Sequence, residues 1–301
     1  MSPLSSQSSV PSHPDPTGDP SNALSSPITS RVSTAPPIVL SIAGYDPSAG
    51  AGVLADLKTF AAARVYGMAC ITALTVQSSR EVRKVVAQDS GTVIETLDCL
   101  AGDVRFAAIK VGMLGSGAVA TVVMAWLNQR KHVPVILDPV MKSSSGKDLL
   151  DSVGIEVLRE AGLSRADWMT PNLTELAILC GVPVPNDRKE TENAARELQT
   201  RAARQGNAGI KVVVTGGHAK APDDLLLFRD TCQWFSGEWV ETSSTHGTGC
   251  TFSSALAARI ALGDGPPEAV RAAKDYVTGA LRHALPIGTG HGPLNHSWKM
   301  T

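Results

Sequence analysis

The residues best suited to chemistry lie in one short stretch, His-Gly-Thr-Gly-Cys at positions 246–250. Two glycines bracket a threonine, and the alanine-rich sequence that follows predicts a helix from Phe252 to Leu262. The first backbone N–H groups of a helix have no acceptor within it, so they attract an anion such as a phosphate. Cys250 falls in the first turn, where the positive end of the helix dipole favours a thiolate. The stretch therefore predicts a phosphate-binding loop beside a nucleophile or base.

A structural interpretation of the same stretch is also open. Gly-Thr-Gly is typical of a tight strand-to-helix turn, and free cysteines are among the most buried residues. The Walker A spacing is missing, because no lysine follows the second glycine. Any phosphate held here would be bound by the backbone alone.

Composition favours a small-molecule partner. The 301 residues carry a formal net charge of -1 and no long lysine or arginine run, which argues against a nucleic-acid or anionic-membrane partner. No apolar run has the length of a membrane span, and the start of the chain lacks the pattern of a secretory signal. Five widely spaced cysteines without a Cys-x-x-Cys pair favour a reducing, cytoplasmic setting.

The chain divides into two compositional regions. Residues 1–36 are rich in serine and proline and poor in large apolar side chains, so we expect a disordered extension. Residues 37–301 contain no internal repeat and no further Pro/Ser-rich linker, and they predict a single domain.

The elements that must position the loop follow a strand–helix alternation. Apolar runs predict buried strands at 38–43, 67–74, 107–111, 133–137 and 210–214. Helical patterns occupy 53–64, 92–100, 118–129, 155–161, 173–179, 191–204 and 266–285. This alternation predicts an α/β fold, with a central, mostly parallel β-sheet and helices on both faces. The region 225–240 predicts two short antiparallel edge strands.

Polar groups gather in the loops that follow the predicted strands, where open parallel sheets bind their ligands. They comprise Asp46, Gln77, Gly112-Met113, Asp138-Pro139, Asn172 through Glu175, Thr215-Gly216-Gly217 and the Gly-Thr-Gly-Cys turn. Asp56, early in the first predicted helix, could face these loops or be a solvated charge.

A dinucleotide-binding site is an alternative. Gly115-Ser-Gly117 follows a strand and opens a helix, and Asp138 ends the next strand, as in an NAD fingerprint. The motif lies in the middle of the alternation, however, and leaves the glycine-rich loops at both ends of the domain unexplained. We therefore expect no affinity for NAD.

Several ordered motifs point to one family. They include Ser41-Ile-Ala-Gly-Tyr-Asp-Pro-Ser-Ala-Gly-Ala-Gly, Thr72-Ala-Leu-Thr-Val-Gln, Lys110-Val-Gly-Met-Leu, Leu137-Asp-Pro-Val-Met, Thr170-Pro-Asn-Leu-Thr-Glu, His246-Gly-Thr-Gly-Cys and Gly290-His-Gly-Pro-Leu-Asn-His. With these motifs the chain, from about residue 38 to 295, resembles the hydroxymethylpyrimidine and phosphomethylpyrimidine kinases of thiamine biosynthesis, a branch of the ribokinase-like superfamily.

The resemblance implies a reaction and roles for particular residues. ATP with Mg²⁺ would phosphorylate the hydroxymethyl group of an aminopyrimidine and then its monophosphate. Gln77 would read the pyrimidine ring, with Gly44 and Asp56 near it. Asp138 and Glu175 would lie next to Mg²⁺ and the phosphates. The nucleotide contacts would be Thr215, Gly217, Gly247, Thr248 and Gly249. Cys250 occupies the position at which other ribokinase-like enzymes have an aspartate base.

Three departures from the family pattern bear on these roles. Tyr45 and Ser78-Ser79 stand where serine and asparagine are usual, beside the expected substrate. Thr215 stands where a lysine often precedes Gly-Gly-His, so Lys110, Lys142 or Lys220 would have to supply that charge near the nucleotide. A pyridoxal kinase and a non-catalytic binding protein of the same fold are the competing interpretations. We expect a homodimer, and no fused thiamine-pathway activity.

Overall fold

The computed structural model describes residues 35–143, 145–216 and 222–300. Within these residues, nine strands form one sheet in the order β3-β2-β1-β4-β5-β6-β7-β8-β9. The strands are β1 Ile38–Tyr45, β2 Tyr66–Gln77, β3 Val82–Ala87, β4 Ala108–Val111, β5 Val135–Leu137, β6 Trp168–Met169, β7 Lys211–Val214, β8 Asp224–Phe228 and β9 Thr231–Phe235. In this order, the six neighbouring strands β2, β1, β4, β5, β6 and β7 are all parallel to one another.

Antiparallel strands flank the parallel centre at both edges of the sheet. β3 pairs antiparallel with β2 at one edge, and β8 and β9 extend the other edge from β7. The mostly parallel sheet with short antiparallel strands is therefore confirmed. The sequence analysis did not predict β3 and β6. β3 is mostly exposed and β6 has only two residues, so neither has a clear apolar pattern.

The helices cover both faces of the sheet. They are α1 Gly52–Ala62, α2 Ser90–Asp103, α3 Gly117–Asn128, α4 Ser152–Val157, α5 Leu163–Arg165, α6 Leu173–Cys180, α7 Arg188–Arg204, α8 Thr248–Ala261 and α9 Pro266–Arg282, with a π-helical turn, Leu158–Gly162, between α4 and α5. One core cluster packs α2, α3, α6 and α7 against the sheet, and a second packs α1, α8 and α9 against the opposite face.

Burial on both faces explains the composition of the central strands. All four residues of β4 are buried, and alternate residues enter different clusters: Ile109 and Val111 enter the first and Ala108 enters the second. Continuous apolar runs are typical of parallel strands covered twice. Lys110 interrupts this run, and its side chain is fully buried.

The described residues from Pro36 onwards form one compact unit. The extension predicted at 1–36 lies, apart from its last two residues, outside the described part of the chain, as do Gly217 and Lys220. In the described part of the chain, no helix is long and apolar enough to cross a membrane.

Candidate active site

Helix α8 begins at the carboxyl ends of the central strands, and its entry requires a glycine. Gly247 is the N-cap residue and has φ +85°, in the left-handed region. A Cβ there would lie 1.8 Å from the carbonyl oxygen of Gly50, so the 246–248 turn packs directly on the loop after β1. Gly247 therefore has both a conformational and a packing reason to be glycine.

Gly249 has a different environment. A Cβ on this residue would meet no atom within 4 Å, and its φ is not in the left-handed region. Neither packing nor backbone conformation in the protein alone requires glycine here. Because α8 starts at Thr248, the N–H groups of Gly249 and Cys250 have no acceptor within the helix. The free space at the Cβ position of Gly249, next to these donors, leaves room for an anion to approach.

Cys250 lies in the first turn of α8, and its side chain is partly buried. Burial raises the pKa of the thiol to about 12; the charge of Lys110 lowers the pKa, but Asp138 and Asp56 raise it. The expectation that the helix N-terminus favours a thiolate is thus corrected for the unliganded protein, because desolvation and two carboxylates outweigh the positive charges. Its catalytic role stays a prediction.

A fully buried ion pair lies beneath this turn. The Nζ of Lys110 is 3.0 and 2.9 Å from the two carboxylate oxygens of Asp56. Ser254 of α8 donates to Oδ1 at 2.6 Å and Ser41 of β1 donates to Oδ2 at 2.5 Å. Burial alone would lower the pKa of Lys110, but the neighbouring negative charges, chiefly Asp56 with a contribution from Asp138, together raise it.

This geometry gives both residues a structural role. Asp56 and Lys110 are 0% exposed. Both oxygens of Asp56 are hydrogen-bonded within the protein, and Lys110 is paired with Asp56. Their expected places near the pyrimidine and the nucleotide stay predictions. The sequence placed Asp56 on the helix correctly, but its partner is 54 residues away in the chain and cannot be inferred from local pattern. Lys142, another expected substitute, pairs with Asp148 at the surface.

Asp138 and Glu175 form a second acidic feature of the site. Asp138 follows β5 and accepts a hydrogen bond from Ser253 of α8 at 2.9 Å. Glu175 lies at the start of α6, where it accepts from the backbone N–H of Asn172 at 3.0 Å in a capping box. Burial raises the pKa of both groups, and the charge of Asp138 contributes to raising that of Glu175 to about 8.

Two buried carboxyl groups that repel each other fit the chemistry of Mg²⁺. This ion takes hard oxygen ligands and is commonly held by one or two carboxylates together with substrate phosphates. Within the described ranges, no group of three or more His, Cys, Asp or Glu side chains could hold a metal by itself. Asp138 and Glu175 therefore suit a cation that arrives with a phosphate.

Gln77 ends β2 and lies close to a residue that the sequence analysis gave no role, His246. The amide nitrogen of Gln77 is 3.0 Å from Nε2 of His246, and the same Nε2 is 2.7 Å from Oδ2 of Asp46. Burial alone would raise the pKa of Asp46, but hydrogen bonds from His246 and Ser48 hold it below its usual value. The histidine next to the glycine turn was a visible signal, but its partners lie 169 and 200 residues away.

A narrow cavity next to Gln77 and His246 is bounded by the β2–β3 turn and by His291. The segment 288–292 is tied to that turn: the backbone N–H of His291 donates to the carbonyl of Ser79 at 2.8 Å, and Arg80 donates to Thr289 at 2.6 Å. The carbonyl of Gly292 accepts from the backbone N–H of His246 at 3.0 Å. One segment therefore connects the substrate side to the glycine turn.

The remaining predicted site residues lie around the same edge of the sheet, except for one that is outside the described part of the chain. Thr215 follows β7 and bridges to Asn172. Thr248 is the first residue of α8. Gly44 is buried near the end of β1, where a Cβ would lie 2.8 Å from Sδ of Met113. Gly217 lies outside the described residues.

A larger cavity of about 410 Å³ opens between the segment after β9 and the last turns of α9. Its lining includes Gly237, Lys274, Thr278 and Arg282. The buried Lys274 donates to Asp224 at 2.8 Å, which fixes α9 against the start of β8. β8 starts beside the end of β7, so this cavity lies at the carboxyl edge of the sheet.

At the motif that suggested an NAD site, the start of α3 is contacted by other parts of the protein. The N–H of Gly117 donates to the carboxylate of Asp151 at 3.1 Å, and Ser116 caps the helix. A Cβ on Gly117 would lie 2.6 Å from Val153. The start of α3 is thus packed against α4, and a pyrophosphate has no access to it.

Comparison with known proteins places this site in a family. Residues 46–295 match the family described as phosphomethylpyrimidine kinase. The chain belongs to the phosphomethylpyrimidine kinase family. The multifunctional thiamine biosynthesis protein ThiED of Corynebacterium efficiens is 41% identical over 268 residues, covering 87% of this chain and 35% of that protein. The hydroxymethylpyrimidine/phosphomethylpyrimidine kinase of Staphylococcus aureus strain MRSA252 is 36% identical over 264 residues, covering 87% of this chain and 94% of that kinase.

The fold is shared with solved kinases. Bacillus subtilis pyridoxal kinase, solved as an ADP complex, is 31% identical and matches with a TM-score of 0.78, covering 87% of this chain and 98% of that one. The family and the ribokinase-like fold expected from the sequence are confirmed. The chain spans only 34–52% of the length of the multifunctional and bifunctional family members.

The buried pair generates a prediction about stability. Asp56→Asn keeps an acceptor for the serines but leaves the Lys110 charge without its partner, so it should destabilise the fold by about 3–5 kcal/mol. Urea denaturation measures this change. Asp148→Asn, which removes the partner of exposed Lys142, is the matched control and should leave the unfolding midpoint unchanged. An Asp56→Asn protein of normal stability with weakened pyrimidine binding would contradict this prediction and would instead support a substrate-binding role for Asp56.

Proposed function

We propose that the protein transfers the γ-phosphoryl group of ATP to the hydroxymethyl group of 4-amino-5-hydroxymethyl-2-methylpyrimidine, and then to its monophosphate. The observation that carries this proposal is the start of α8, where the N–H groups of Gly249 and Cys250 have no acceptor within the helix and the Cβ position of Gly249 opens onto free space. Family membership supplies the reaction class. The same edge of the sheet also presents two acidic groups and an amide suited to the two substrates.

The nucleotide side would use mostly backbone. The 247–249 turn would hold phosphate oxygens through backbone N–H groups, which bind anions without a positively charged side chain. The 410 Å³ cavity beside α9 is large enough to take part of the nucleotide. Thr215 and Gly217 stay proposed contacts after β7. The ADP complex of the B. subtilis relative supports a nucleotide substrate for this fold.

Asp138 and Glu175 are the proposed residues for Mg²⁺. When bound, the ion would supply positive charge against the phosphate oxygens. Positive charge would favour the ionised form of both residues, because burial raises both pKa values and the charge of Asp138 adds to the rise at Glu175. Ser253 donates to the Asp138 carboxylate from α8, so one member of the acidic pair is tied to the helix that begins at the proposed phosphate loop.

The pyrimidine side would use side chains. Gln77 has both a donor and an acceptor at the end of β2, which suits the adjacent amine and ring nitrogen of an aminopyrimidine. Gly44 lies beneath the loop after β1 and keeps the backbone compact there. The narrow cavity at Gln77 and His246 leaves little room for water. Exclusion of water favours transfer to the alcohol over hydrolysis of ATP.

In the transfer, the alcohol oxygen forms a bond to the γ-phosphorus as the bond from phosphorus to the β–γ bridging oxygen breaks. The alcohol proton leaves to a base, and ADP departs with the bridging oxygen. Phosphoryl transfer depends mainly on alignment and charge stabilisation, so a weak base is sufficient. Cys250 is the proposed base, because it lies between the N–H groups and the buried Lys110 charge.

An assay of ADP formation tests the function. We expect saturable, Mg²⁺-dependent turnover with the pyrimidine alcohol and with its monophosphate. Pyridoxal is the second candidate substrate, favoured by the pyridoxal kinase that shares the fold at a TM-score of 0.78. A higher kcat/KM for pyridoxal than for the pyrimidine would reverse the proposal. ATP binding without turnover of any of the three would identify a non-catalytic member.

Substitution of Cys250 tests the base. Cys250→Ala should lower kcat by roughly 10²–10⁴ with little change in KM, the range typical of general-base loss. Because burial raises the pKa of the thiol to about 12, the thiolate fraction and kcat of the wild type should increase with pH from 6 to 9. Rapid-mix kinetics across this range make the measurement.

Cys250→Asp separates the base from a space-filling role. An aspartate ionised in this range should recover part of the rate and flatten the pH profile. If the residue only fills space, aspartate would repel the γ-phosphate and recover nothing. An alanine variant with wild-type kcat would remove Cys250 from the mechanism.

A homodimer through the β2–β3 hairpin is also proposed. Leu74, Val76 and Val86 project from one face of the hairpin and are 43%, 52% and 42% exposed. Contiguous exposed apolar side chains are typical of a protein interface. The partners are otherwise small molecules. The five cysteines are all free thiols, in keeping with the proposed cytoplasmic location.

Light scattering after gel filtration tests the dimer. Val76→Asp should convert the dimer to monomer, because a charge would be buried at the interface. Val184→Asp, a comparably exposed valine in a loop away from the hairpin, should leave the mass unchanged. A wild-type mass of one chain at micromolar concentration would contradict the proposal.

A further inference from the structure

His246 makes two short polar contacts with the same ring nitrogen. Its Nε2 is 2.7 Å from Oδ2 of Asp46 and 3.0 Å from the amide nitrogen of Gln77. A ring nitrogen is either a donor or an acceptor, and not both at once. The protonation of this atom therefore decides how the Gln77 amide is oriented.

Asp46 determines that protonation. The backbone N–H of Ala51 donates to Oδ2 at 3.0 Å, and the backbone N–H and hydroxyl of Ser48 donate to the carboxylate at 2.7–2.9 Å. A carboxyl group that accepts this many hydrogen bonds is ionised, in keeping with its lowered pKa. Because an ionised carboxylate has no proton to give, Nε2 of His246 must carry the proton.

The contacts of Thr75 with the other end of the Gln77 amide indicate the same amide orientation. Its hydroxyl is 3.0 Å from the carbonyl oxygen of Tyr45 and 3.2 Å from the amide oxygen of Gln77. The single hydroxyl proton is used by the carbonyl, which can only accept. A 180° rotation of the amide resolves both conflicts: its oxygen becomes a second acceptor of the Nε2 proton, which it shares with Asp46, and its NH₂ group donates to Thr75.

The imidazole is held in place independently of Gln77. A Cβ on Gly50 would lie 2.4 Å from Cδ2 of His246, so the backbone at 50 packs against the ring. The backbone N–H of His246 donates to Gly292 at 3.0 Å, and the side chain is only 12% exposed. The packing thus fixes the ring independently of the Gln77 amide.

We infer that His246, oriented by Asp46, is a positioning residue that fixes the Gln77 amide with its oxygen toward the ring and its NH₂ group toward Thr75. The amide then presents a free acceptor and a free donor in a fixed order. An aminopyrimidine has an amine donor next to a ring-nitrogen acceptor and can satisfy both. A pyridine alcohol lacks that adjacent amine and can satisfy only one. His246 thereby sets the preference for the aminopyrimidine.

This inference rests on the proposed function, and a pair of isosteric substitutions tests it. The amide nitrogen of His246→Gln can replace Nε2, whereas the shorter His246→Asn cannot reach that position. Calorimetry should show pyrimidine affinity reduced roughly threefold to tenfold in His246→Asn, the loss expected for one hydrogen bond. His246→Gln should stay within about twofold of the wild type. Affinity for a non-hydrolysable ATP analogue should be unchanged in both.

A double-mutant cycle separates positioning from a general structural effect. In a Gln77→Ala background, His246→Asn should have no further effect on pyrimidine affinity, because the group it orients is gone. The pyrimidine-to-pyridoxal affinity ratio should fall in His246→Asn alone. An equal loss with and without Gln77, a parallel loss of ATP-analogue affinity, or identical behaviour of the two variants would overturn the inference.

Nitrogen NMR of the ring gives a readout that needs no substrate. The wild type should show the proton on Nε2 of His246. A bare Nε2, accepting from Gln77, would overturn the inference whatever the binding data. If the wild-type protein binds no pyrimidine, the proposed function fails, and the ring tautomer still decides whether His246 orients the amide.

Discussion

Lys110 and Asp56 meet between the sheet and α8, and the geometry of the whole site depends on this contact. The pair connects β4 to α1, while Ser254 connects it to α8. Removing two charges from water costs several kcal/mol, and the mutual attraction repays that cost only when the remaining hydrogen-bonding positions are filled. Here both carboxylate oxygens are filled. The pair therefore helps to fix the first turns of α8 above the strand ends, and a displacement of α8 would leave Oδ1 of Asp56 without the hydrogen bond from Ser254.

The same contact leaves the site short of positive charge. Asp56 neutralises Lys110, and Asp138 and Glu175 add two further buried carboxyl groups whose pKa values are raised by burial, with a further rise at Glu175 from the charge of Asp138. A polyphosphate would enter this environment only with its own cation. The raised pKa values and the phosphate-facing N–H groups are thus consistent with each other, since a metal–nucleotide complex would supply the positive charge that the acids need and the negative charge that the N–H groups attract.

Sequence predicted most of the fold, because buried parallel strands and amphipathic helices have strong local patterns. It did not predict β3 and β6, whose exposure and shortness remove that pattern. It also predicted that Gln77, Asp138 and Cys250 lie at one edge of the sheet, since the carboxyl ends of parallel strands meet there. It did not predict the pairing of Asp56 with Lys110 or the contacts of His246, because these partners are distant in the chain. Which charges neutralise each other is a property of packing, and no spacing rule contains it.

The proposed phosphate half and the proposed pyrimidine half of the site use different groups, and this has consequences for specificity. The phosphate half relies on backbone N–H groups, whose positions depend on Gly247 fitting against Gly50. Such groups recognise any phosphate chain. The pyrimidine half relies on side chains whose donor and acceptor order depends on Asp46, His246 and Thr75. A change in that hydrogen-bond chain can alter which alcohol is accepted while the phosphate half is unaffected. Related enzymes of one fold can thus share nucleotide chemistry and differ in the ring that they phosphorylate.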